Sequence, residues 1–112
     1  MKRLIVFLCL FAAPAWAETS FKPEEAAAHA GGIVTIEGVA SVYTAQSGMV
    51  FLDMGGSGKS STFSGVIFAR DAGKFADIRA WNGKVLDITG TVQMYQGKPE
   101  IILTSPGQVA VK

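Results

Sequence analysis

From Ile33 onward the chain alternates. Val34, Ile36, Gly38, Ala40 and Val42 share one parity, while Thr35, Glu37, Ser41 and Tyr43 share the other. That period of two predicts a half-buried strand. Four further strands are predicted over residues 49–54, 62–69, 84–94 and 100–104, and residues 108–111 resume as a short edge strand. The segments between them carry turn chemistry: residues 44–48, the run Gly55-Gly56-Ser57-Gly58-Lys59-Ser60-Ser61, Asn82-Gly83, and Gln96-Gly97-Lys98-Pro99. Connections this short suit antiparallel pairing.

Two segments break the period of two. Pro23 suits a first helical turn. The alanine-rich run Glu24-Glu25-Ala26-Ala27-Ala28-His29-Ala30 continues as a short helix, stopped by Gly31-Gly32. Between the third and fourth strands, Asp71 reads as the N-cap of a helix ending near Arg79. Phe75 and Ile78 would face the core, with Lys74 and Asp77 in water. Within the strands, Ile36 to Tyr43 and Ile88 to Tyr95 share the spacing I-x-G-x-x-x-x-Y. A glycine inside each run predicts a bend, as the corners of a small barrel require.

The first residues read as an address. Lys2 and Arg3 form a basic n-region, Leu4 to Ala13 an apolar stretch, and Ala15-Trp16-Ala17 an A-x-A cleavage site. The expected domains are therefore a signal peptide over 1–17, a lead-in with a short helix over 18–32, and a barrel over 33–112. The only cysteine, Cys9, leaves with the signal, so the mature chain would fold without disulfides. The expected destination is a bacterial periplasm or the exterior, after cleavage following Ala17. There the protein would be a monomer with no membrane anchor. Losing Lys2 and Arg3 lowers the ten basic residues to eight against nine acidic ones, so the mature charge is close to −1. That leaves no basic surplus of the kind common in phosphate-binding proteins, although a basic face stays open.

The strand runs 34–39, 51–53 and 85–92, with Tyr95-Gln96-Gly97-Lys98-Pro99-Glu100-Ile101, resemble OB-fold domains of the nucleic-acid-binding, tRNA-anticodon-like type. The resemblance implies a small five-stranded antiparallel OB-type barrel, mainly β, with a short helix between strands 3 and 4 and an added N-terminal helix. In such barrels the first strand pairs with both the second and the fourth. The usual ligand surface is the face of strands two and three, rimmed by the loops after strands one and four. A second resemblance, to exported bacterial OB-fold proteins of the stress-associated kind, stays open as the alternative.

Catalysis is not expected. Gly58-Lys59-Ser60 matches the end of a phosphate-loop motif, but Asp53 stands where its first glycine belongs and a strand follows in place of a helix. His29, the single histidine, has no cysteine partner for a metal. No catalytic residue, metal or cofactor is therefore expected. Aromatic rings and lysines remain as binding material, since single-strand binders stack bases on rings and track the backbone with cations. The candidate ligand residues are Tyr43, Phe51, Lys59, Phe63, Tyr95 and Lys98, although phenylalanines at alternating strand positions more often belong to a core. The candidate partners are single-stranded nucleic acid or, alternatively, a periplasmic protein or glycan. A continuous positive stripe over strands two and three would favour the first, and mixed charge the second.

Overall fold

The computed structural model describes residues 19–112, so the expected signal sequence lies outside the described residues. Seven strands are present among them: β1 (Ile33–Val39), β2 (Ser41–Thr44), β3 (Val50–Met54), β4 (Phe63–Ile67), β5 (Val85–Tyr95), β6 (Lys98–Ile102) and β7 (Val109–Val111). One α-helical turn, α1 (Ala69–Ala72), joins them, with 3-10 turns at Pro23–His29, Gly58–Ser60, Ile78–Trp81 and Pro106–Gln108. The sheet order is β1-β5-β6-β4-β3-β2, with β7 on β5. The result is a mainly β molecule whose curled sheet forms a half-barrel, consistent with an OB-like fold.

The first predicted strand is divided in two. Its first half pairs with β5 and its second half with β3, so one run supplies both ends of the sheet order. The bend falls at Ala40, which is buried. There the backbone leaves the sheet: Ala40 N–H donates to Lys84 O (2.9 Å), and Gly83 N–H donates to Ala40 O (2.7 Å). The twin segments are neighbours, with Ile36 directly opposite Ile88. Their glycines answer to crowding. A Cβ on Gly38 would lie 2.8 Å from Pro23 Cγ, and one on Gly90 would lie 2.6 Å from Ile101 Cγ2.

Three expectations are corrected. The sheet is mixed, because β4 and β6 run parallel while the other strand pairs are antiparallel. The connection from β4 through α1 and β5 is long enough to return a strand in the same direction. The helix expected from Asp71 to Arg79 is two short pieces, separated at Gly73 and at Asp77, whose φ is +55°. Asp71 does not cap it. That residue lies inside α1, where its carboxylate pairs with Lys74 at 2.9 Å. Phe75 does reach the core, and Trp81 packs edge-on against it with ring centroids 6.3 Å apart.

The N-terminal helix is a 3-10 turn. With three residues per turn, Pro23, Ala26 and His29 align on one side. Pro23 and Ala26 are buried, and the His29 ring lies 3.9 Å from that of Phe21 between centroids. Phe21 in turn bridges β1 beside Ile36. The core between these layers is built from Ile36, Leu52, Met54, Phe63, Ile67, Leu86, Ile88, Val92, Ile101 and Leu103. Each contributes roughly 1.5–3 kcal/mol by leaving water.

A candidate binding groove on the outer face of the sheet

Strand alternation decides what faces outward. On β3, Val50, Leu52 and Met54 are in the core, which leaves Phe51 and Asp53 on the outer face. The same parity on paired strands brings Ser64 beside Asp53, Glu100 beside both Ser64 and Gln93, and Lys98 beside Tyr95. Tyr43 lies opposite Phe51 across β2 and β3, with stacked rings 6.0 Å apart. The β5–β6 turn is tighter than expected. Gln96 and Gly97 both have positive φ, 49° and 81°, so they alone make the turn, and Lys98 and Pro99 already belong to β6.

A groove of about 650 Å³ runs over this face between the Gly58–Ser60 turn and the tip of the β5–β6 hairpin. Phe51, Lys59, Tyr95 and Lys98 line it. Tyr43 is 59% exposed and extends the aromatic surface through its stack on Phe51. Five of the six candidate residues are thus gathered on one surface. Phe63 is the exception: it is fully buried, on the opposite side of β4, where it packs the core. A fully buried ring offers no face to a ligand, so Phe63 is corrected to a core residue.

Ser61, Ser64 and Glu100 also line the groove and were not among the candidates, and Asp53 lies buried beneath Ser64 and Lys98. Asp53 is 4% exposed and well supplied with donors. Its carboxylate accepts from Ser64 Oγ (2.6 Å) and from Gly58 N–H (3.2 Å), and Lys98 Nζ lies 4.0 Å away. Lys98 also donates to Ser61 Oγ at 2.6 Å. Glu100 Oε1 accepts from Gln93 Nε2 at 3.4 Å. Asp53 shares parity with Phe51 on β3 and Glu100 shares parity with Lys98 on β6, a signal available in the sequence, whereas Ser64 is placed only by the strand register and Ser61 by its bond to Lys98. The groove carries both signs of charge, Lys59 and Lys98 against Glu100, with the buried Asp53 carboxylate 4.0 Å from Lys98 beneath it. That is mixed charge, not a continuous positive stripe.

The phosphate-loop alternative can be judged on the same geometry. β4 follows the Gly58-Lys59-Ser60 turn, and the Gly58 N–H is already engaged by Asp53. The turn presents a lysine to a groove and does not cradle a phosphate at a helix start.

No protein-family model matches the chain, and no curated protein does. Solved structures do share its fold. An aspartyl-tRNA synthetase from Entamoeba histolytica superposes with a TM-score of 0.53 and 24% identity, over 88% of this chain and 22% of that one. A protein assigned as an aspartyl-tRNA synthetase from Leishmania major Friedlin superposes with a TM-score of 0.52 and 12% identity, over 83% of this chain and 20% of that one. The chain therefore spans about a fifth of either enzyme. At these identities the likeness is one of fold.

Proposed function

We propose that the protein is a non-catalytic binding module that holds single-stranded nucleic acid on the outer face of its half-barrel. The observation carrying this reading is the aromatic surface of Tyr43, Phe51 and Tyr95 beside Lys59 and Lys98 on one groove. Exposed rings serve as stacking platforms for bases, and flanking lysines answer the backbone charge. The resemblance of the sequence to tRNA-anticodon-like OB domains supports it. So does the shared fold with parts of two proteins whose names carry a tRNA substrate. The signal pattern at residues 1–17 motivates placing this binding outside the cytoplasm.

Fluorescence anisotropy with labelled single-stranded DNA at low salt tests the reading. Binding at micromolar protein is expected. Tyr95→Ala should weaken it by about 1–3 kcal/mol, the usual worth of one base stack. Lys59→Gln should lower the salt dependence. Absence of binding at micromolar protein overturns the reading.

The mixed charge of the groove favours a second reading, a cell-envelope protein or glycan as the ligand. Affinity would then vary little with salt. Capture from a periplasmic extract by the wild type, lost in Tyr95→Ala, would support it.

A further inference from the structure

We propose that the groove continues past Phe51 into a second, apolar subsite that accepts the next ring of the same strand, with Arg70 meeting its phosphate. The proposal rests on the single-strand reading above. A cavity of about 350 Å³ adjoins the first groove and shares Phe51, Tyr95 and Glu100 with it, so the two are continuous. Met49, Val66, Phe68, Gln93 and Ile102 complete its walls. Met49, Val66, Phe68 and Ile102 are outward positions at the far end of the same sheet face and make this end mostly apolar, with Gln93 and Glu100, which bond each other at 3.4 Å, among its polar groups.

Charge decides the occupant. No cation lines the second subsite itself, but the Arg70 guanidinium carbon sits 5.0 Å from the centroid of the Phe68 ring. The ring thus holds a cation beside the groove. Arg70 is not consumed by an ion pair. Its contact with Asp71 is 3.9 Å, while Lys74 holds the same carboxylate at 2.9 Å, and the Arg70 side chain is 76% exposed. Lys59 and Lys98 mark one end of the aromatic row and Arg70 the other. A chain with planar groups toward the protein and anions along its length matches that arrangement. A neutral glycan would leave the cations unused. The planar guanidinium also suits a phosphate better than an ammonium would, since it donates two parallel hydrogen bonds.

Labelled oligothymidylates of about 3 to about 16 nucleotides, spanning the site sizes known for such barrels, test this by anisotropy. Wild type, Phe68→Ala and Arg70→Gln are compared at each length, with Tyr95→Ala as the control for the first groove. The wild type should gain affinity as the strand grows long enough to reach the second subsite. Phe68→Ala and Arg70→Gln should match it on the shortest oligomer and bind the longer ones roughly tenfold more weakly, the scale of one lost stack or phosphate contact. Tyr95→Ala should weaken every length. Arg70→Gln changes an exposed side chain, so the test survives if Phe68→Ala fails to fold. Equal binding by Arg70→Gln and wild type at all lengths overturns the proposal, as does a loss of the same size at the shortest and longest lengths. If the wild type binds with no gain from length, the second subsite falls and the single-strand reading stands. If the wild type binds no oligomer, both fall.

Discussion

Asp53 lies beneath the groove, within 4.0 Å of Lys98. A carboxylate at 4% exposure survives because Ser64 and Gly58 donate to it and Lys98 lies near. It also offsets part of the Lys98 charge that a phosphate would otherwise meet. Asp53→Asn should therefore act in two directions. Loss of charged acceptors should cost about 1–3 kcal/mol in urea unfolding. Affinity for single-stranded DNA should rise, because Lys98 loses its counter-charge. A variant that is less stable and also binds more weakly would contradict the second half. Residue by residue, the gathering of the candidates was legible: Phe51, Lys59, Tyr95 and Lys98 line one groove and Tyr43 borders it. Phe63 was misplaced because both parities of its strand look apolar, Phe63 and Ile67 on one side and Val66 and Phe68 on the other. Alternation separates two faces without saying which one meets water. Asp53 and Glu100 were overlooked because buried acids look like any others until their donors are located.

At the scale of elements, β5 has three partners, with β7 on Leu86 to Ile88 besides β1 and β6. It pairs with β1 over Val85 to Thr91 and with β6 over Val92 to Tyr95, and Gly90 lies where the change occurs. Gly90→Ala would push a methyl group to 2.6 Å from Ile101 Cγ2 and 3.0 Å from Gln108 Nε2. That overpacking should cost about 1–3 kcal/mol, read as a lower urea midpoint with an unchanged slope. The kinship of β1 and β5 was legible, because matching spacings placed their glycines on adjacent strands. The parallel pairing of β4 with β6 was not, since alternation reports burial and carries no direction. Nor was the division of the segment after β4. A helical spacing between Phe75 and Ile78 is satisfied equally by two short turns about Gly73 and Asp77.

At the scale of the whole molecule, the strand pair that joins the two ends of the described chain carries an acid pair. Glu37 stands directly opposite Asp87, and Lys112 approaches both, at 3.8 and 3.5 Å. Asp87 Oδ1 is buried without a hydrogen-bond partner among the described residues. Burial first, and then the neighbouring Glu37, raise the Asp87 pKa above its ordinary 3.8, with Lys112 opposing. The folded protein therefore keeps this proton to a higher pH than the unfolded chain. Stability from this residue falls as pH rises from 3.8 through the raised value, and the deficit is complete above it. Asp87→Asn should accordingly melt at a higher temperature than wild type at neutral pH, an advantage that shrinks to nothing below 3.8. A lower melting temperature at neutral pH would mean that the Lys112 pairing outweighs burial. The division of the first strand at Ala40 also orders folding in time. β2 finds β3 within a few residues, but β1 can pair only with β5, which the chain supplies near its end. Emerging from a ribosome, the protein holds a three-stranded meander of β2, β3 and β4 and one waiting strand until Val85 to Thr91 arrive. Distant partners of this kind slow folding, so the last quarter of the chain sets the pace for its beginning.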